Sequence, residues 1–118
     1  MFNFEKLETW HEAIAFADIV YQLTHNFPVE ERFGLTNQMR RAAVSISSNL
    51  AEGCSRSSRS DYARFVEIAT GSVFEVVSQA TIGRNQGFLD QTGYERLYAA
   101  AEKQSRMLSG LRKSLDAA

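Results

Sequence analysis

Proline, cysteine and histidine are all scarce in this 118-residue chain, and each scarcity excludes something. One Pro and seven Gly leave too few turn-forming residues for an all-β fold. A lone Cys54 forms no internal disulfide and fits a reducing cytoplasm. His11 and His25 are the only imidazoles, and on one helix they would stand about 21 Å apart, too far to share an ion. Glu8–x–x–His11 is only half of a di-iron carboxylate pattern. Cys54 has neither histidine near it in sequence, and no glycine-rich phosphate loop or GxSxG run occurs. No catalytic residue, metal ligand or cofactor site is therefore expected. The N-terminal MFNFEKLETWHEA lacks a basic region followed by an apolar one, and no apolar run is long enough to span a bilayer. A cytoplasmic protein with no membrane partner is expected.

What is present is an ordinary globular composition. Hydrophobic residues make up 44% and charged residues 23%, enough to bury one modest core, so residues 1–118 are read as a single domain. The net charge of −1 is unevenly spread. Residues 1–31 hold six acids against Lys6; residues 32–64 hold six arginines against Glu52 and Asp61; the remainder is balanced.

Apolar periodicity predicts four helices and no strands. The first runs from about Lys6 to Asn26. Its expected stripe is Leu7, Trp10, Ile14, Ala17, Tyr21 and Thr24, widened by Phe16, Ile19, Val20, Leu23 and Phe27. A helix so apolar around its circumference needs cover on two sides. Pro28 opens a short turn of helix. The second helix runs from Thr36, read as its N-cap, to Glu52, with Gly53 in the C′ place. The third, about Arg59 to Gln86, follows a Ser58–x–x–Asp61 cap and buries Tyr62, Phe65, Val66, Ala69, Val73, Val76, Ala80 and Gly83. The fourth, about Thr92 to Leu115, carries the seam Leu97, Ala101, Gln104, Leu108, Leu111 and Leu115, and Asp116–Ala117–Ala118 should fray. Short connections make the fold class all-α, an antiparallel up-down-up-down four-helix bundle.

Three groups of residues stand out as candidate sites. Arg56, Arg59 and Arg64 cluster among serines at one end of helices 2 and 3, where they could contact phosphates of a nucleic acid. Glu75, seven residues from both Ile68 and Ile82, is expected to be partly buried. Equal distances from the turn near residue 56 place it level with Gln38 and close to Arg41, and place Glu52 near Arg56 and Arg64. Gln38, Arg41, Glu52 and Glu75 are read as a structural polar network fixing helix register, a ligand pocket being the alternative. Phe74 faces away from Phe65 and Val76; with Phe16, Ile19 and Leu23 of the first helix it is the expected subunit interface.

The run Gln38–Met39–Arg40–Arg41–Ala42–Ala43–Val44–Ser45–Ile46, then Ser48–Asn49–Leu50–Ala51–Glu52–Gly53, resembles the signature of the S23 ribosomal protein, or ribosomal-RNA intervening-sequence protein, family. Phe4 to Trp10, Phe27–Pro28–Val29–Glu30–Glu31, and Arg64–Phe65 through Gly71–Ser72–Val73–Phe74–Glu75 fit it too. The resemblance implies a helical bundle assembled as a ring, usually a homopentamer, with some relatives accessory to diversity-generating reverse transcriptases and binding nucleic acid. The resulting expectation is a non-enzymatic homo-oligomer acting as a scaffold or binding module for RNA or a nucleic-acid-processing protein. A purely structural protein-interaction oligomer with no nucleic-acid binding is the alternative.

Overall fold

In the computed structural model, described here for residues 1–116, four helices form a rod of 47 × 22 × 21 Å. They are α1 (Glu8–Thr24), α2 (Leu35–Cys54), α3 (Arg59–Asn85) and α4 (Gln91–Asp116). Single 3-10 turns, Asn3–Lys6 and Val29–Glu31, precede α1 and α2. Ala117 and Ala118, expected to fray, lie outside the described residues; Asp116 still belongs to α4.

Each helix packs on its two neighbours: α1 on α2 and α4, and α3 on α2 and α4. Among the described residues no diagonal pair of helix backbones comes as close, so the helices occupy the corners of a square in chain order. This is the up-down-up-down bundle that the short connections require.

The helix ends show how local chemistry sets the boundaries. Ser58 Oγ accepts from the Asp61 amide at 3.0 Å and starts α3. α3 ends in a Schellman arrangement. The Phe88 amide donates to Gly83 O at 2.9 Å and the Gly87 amide to Arg84 O at 3.0 Å, with Gly87 at φ 79°. Asp90 Oδ1 then accepts from the Gly93 amide at 2.7 Å and opens α4. The start of α2 departs from expectation. Gly34, not Thr36, is its N-cap, and Thr36 is buried in the first turn. Glu31 Oε1 reaches forward to accept from the Leu35 amide at 3.1 Å, a carboxylate well placed at a helix N-terminus.

Gly53 also differs from its expected role. It lies inside α2, not past its end. A Cβ there would sit 2.9 Å from Tyr62 Cδ1 and 3.1 Å from Phe65 Cβ, so α3 approaches α2 where only a hydrogen leaves room. The carbonyl of Cys54, at the helix end, accepts from Asn3 Nδ2 at 2.8 Å.

The core runs the length of the rod through Phe16, Val20, Met39, Ile46, Leu50, Val66, Val73, Val76, Leu97 and Leu108. The faces expected for α3 and α4 are those observed, with Tyr62, Phe65, Leu111 and Leu115 half-buried at the edges. On α1 the buried face is Thr9, Ala13, Phe16, Ala17, Val20 and Thr24. Ile14 and Tyr21, placed in the expected stripe, are exposed.

Candidate functional site

The turn between α2 and α3 brings Arg56, Arg59 and Arg64 to one end of the rod, all exposed. Arg56 stacks its guanidinium over the Phe65 ring at 4.6 Å and stands 4.0 Å from Glu52 Oε2. Arg59 and Arg64 border a shallow hollow whose far wall is Glu67, Arg112 and Asp116. Arg112 is tied to Asp116 and, at 2.9 Å, to Glu67, contacts that raise its pKa. The three exposed arginines share this end of the rod with Glu52, Glu67 and Asp116. Beneath it the Cys54 thiol and the Tyr62 hydroxyl lie 3.1 Å apart. Burial and this contact push the Tyr62 phenol well above its usual pKa, so it stays a neutral hydrogen-bonding group.

The expected polar network is only partly present. Glu75 does face Gln38 and Arg41 across one hollow, with Asn37, Ala42 and Ser45, so the register inferred from the turn is correct. Its burial is not: Glu75 is exposed, and Ile68 and Ile82 on either side are 48% and 51% exposed. Three residues spaced by seven share a helix face, but nothing in the bundle covers that face. Glu75 accepts a long hydrogen bond from Gln79 Nε2 at 3.4 Å. The polar groups that are buried are others. Gln104, fully buried, donates from Nε2 to Thr9 O at 3.3 Å, and buried Ser72 pairs its hydroxyl with that of half-buried Ser45 at 3.0 Å. Among the described residues the side-chain carbonyl oxygens of Gln79 and Gln104 have no hydrogen-bond partner.

Of the expected interface residues, Phe16 is corrected. It is 1% exposed and packs inside its own bundle, because α1 turns that side toward α2 and α4. Ile19 and Leu23 are half-buried. Phe74 is 65% exposed and borders a groove between α3 and α4 with Val73, Val77, Tyr98, Ala101 and Glu102. Sequence reasoning overlooked a second groove, on the α1/α2 side, bordered by Tyr21, Arg32, Phe33, Arg40, Arg41 and Val44. Arg40 spans it, donating to Thr24 Oγ1 at 3.0 Å with its guanidinium over the Tyr21 ring at 4.5 Å. The signal was the Arg32–Phe33 pair just before α2 together with Arg40–Arg41 early in it.

Elsewhere, a ring nitrogen of His11 lies 2.6 Å from Glu5 O. Among the described residues no three His, Cys, Asp or Glu side chains converge as a metal site, and no helix is long and apolar enough to cross a membrane.

An antiparallel four-helix bundle with exposed apolar and arginine-bearing surfaces defines a class of small helical domains. Within it, this chain belongs to the 23S rRNA-intervening sequence protein family, whose profile matches residues 5–110. Its fold is also similar to a crystal structure of a protein with unknown function from the S23 ribosomal protein family of Bacteroides thetaiotaomicron. The TM-score is 0.80 at 20% identity, covering 89% of this chain and 95% of that one. No curated protein matches the sequence.

Proposed function

We propose that this protein is a non-enzymatic cytoplasmic scaffold, a homo-oligomer of pentameric ring form, whose arginine-bearing ends together hold RNA. The observation that carries the oligomer is the outward apolar surface of α3. Ile68, Phe74 and Ile82 are each about half or more exposed on a helix whose other face fills the core. Large apolar side chains exposed along one helix favour burial against another chain. The RNA part is supported by Arg56, Arg59 and Arg64 at one end. One chain offers about three phosphate contacts, too few for useful affinity at cellular salt, and a ring multiplies them.

Sedimentation equilibrium tests the assembly. The expected mass is several times 13.3 kDa, and a clean monomer overturns the reading. Gel shifts with structured and single-stranded RNA at two salt concentrations test the ligand. Binding should be steeply salt-dependent and lost in Arg56→Gln/Arg59→Gln with the assembly unchanged. The carboxylates of Glu52, Glu67 and Asp116 beside the arginines favour a second reading, a protein-interaction scaffold without RNA. No shift at low salt would select it.

A further inference from the structure

The groove on the α1/α2 side holds about 540 Å³, within the range of ligand sites, about 300–1,000 Å³. Its charge is of one sign. Arg32, Arg40 and Arg41 border it, and among the described residues no carboxylate does. The α2–α3 end of the rod differs, because Glu52, Glu67 and Asp116 stand beside its arginines. Roughly 14 Å of helix, from Ser45 to Cys54, separates the groove from that end.

The three arginines are not equivalent. Arg40 is held by Thr24 Oγ1 at 3.0 Å and lies over the Tyr21 ring at 4.5 Å, so it makes a fixed, flat, charged floor. Arg32 is exposed, 5.9 Å from the centre of the Phe33 ring. Arg41 is exposed too, and among the described residues its side chain has no hydrogen bond or ion pair. Glu75 shares the adjoining hollow with it, Glu31 is bound to the Leu35 amide, and Asp18 is exposed one turn before Tyr21. Phe33 itself is 86% exposed, in the short link between the 3-10 turn Val29–Glu31 and α2. A ring so exposed adds nothing to the core. Flat rings interleaved with guanidinium groups match a ligand that alternates flat rings with anions. An unpaired nucleic-acid strand is such a ligand, whereas a duplex hides its base faces and an acidic peptide has none.

We infer that the α1/α2 groove binds an unpaired stretch of RNA, with a base stacked on Phe33 and phosphates on Arg32 and Arg41. The inference rests on the RNA reading above and adds to it a second site and the class of strand. The Arg40 guanidinium offers a further plane against which a base can lie. Asn37 and Ser45, also bordering the groove, are neutral groups able to hydrogen-bond sugars or base edges. Phosphate contacts alone read charge; the ring is what makes this site select unpaired bases. The groove and the arginine end act on one strand, so loss of either weakens the whole.

The test follows binding of a fluorescent unpaired adenine oligoribonucleotide by anisotropy across a salt series, using the full chain. The variants change exposed residues and are checked for native helicity and wild-type assembly mass. Phe33→Ala should bind about tenfold more weakly with the salt slope unchanged. Phe33→Trp should restore binding, and Phe33→Leu, apolar but not flat, should not. Arg32→Gln/Arg41→Gln should instead make the salt slope shallower by about 1.4. Binding of a duplex of the same length should not respond to Phe33→Ala. Wild-type affinity in both groove variants, with binding lost in Arg56→Gln/Arg59→Gln, overturns the groove and leaves the RNA reading standing. An abasic strand bound as tightly as the oligonucleotide overturns the stacking, and a polyglutamate peptide bound as tightly makes this a protein site. A changed assembly mass in Phe33→Ala makes it a subunit contact and also overturns the inference. No binding by the wild type at low salt removes the RNA reading and this site with it.

Discussion

The α2–α3 seam and the α1–α4 seam are built from opposite materials. Between α2 and α3 small residues stand at the close approaches: Gly53 lies against Tyr62 and Phe65, and Ser45 pairs directly with Ser72. Between α1 and α4 the links are long. Gln104 reaches Thr9 O, Lys103 reaches Glu12 at 3.2 Å, and Arg96 reaches Gln22 at 2.9 Å. Small residues let two helices approach until short hydroxyls touch, and this seam is the most extensive in the bundle. Across α1 and α4 long polar side chains tie the two helices together. The serine-rich composition of α2, unfavourable for an isolated helix, is repaid by that closeness.

If this contrast is correct, the two sides should fail in opposite ways. Removing bulk from α1 should do the most damage. Phe16 is among the largest fully buried side chains, so Phe16→Ala leaves a cavity, and chemical denaturation should report a loss of about 3–5 kcal/mol. A loss below about 1 kcal/mol would mean that Phe16 is not a core residue. Adding bulk to the tight seam comes next. Gly53→Ala improves helix propensity yet forces a Cβ against Tyr62 and Phe65, and should cost about 1–3 kcal/mol. A stabilised variant would show that the seam has slack. The smallest effect is expected at Gln104. Its buried carbonyl has no partner, so Gln104→Met, near in volume, should leave stability unchanged or raise it by up to about 1 kcal/mol. A clear loss would reveal that the bond to Thr9 O holds α1 against α4.

The helices with one apolar face were legible in the sequence. α3 and α4 bury the residues their periodicity indicates, and Ser58 caps α3 as its pattern predicts. α1 was legible as a helix but not in its rotation. Apolar residues surround it, and spacing alone admits both the stripe through Ile14 and Tyr21 and the one through Ala13, Phe16 and Val20; only the second is buried. Gly53 shows a similar limit, because a glycine near a helix end suits a C′ position and a close crossing equally well. For the site, the arginine cluster and outward Phe74 could be read directly. The burial of Glu75 could not, since a face flanked by isoleucines looks like a core face whether or not anything lies over it.

By itself the sequence determined the local terms: four helices, the Ser58 cap of α3, and a family signature spanning most of the chain. These follow from backbone sterics and the 3.6-residue period, which act within a few residues. Tertiary structure alone decided which side of α1 is interior, that Gly53 marks a close helix approach, and that Arg32, Arg40 and Arg41 lie on the side of the bundle opposite Glu102. Each depends on how one helix is rotated against another. That rotation is set by the sum of many weak contacts between residues far apart in the chain, and no short stretch of sequence contains it.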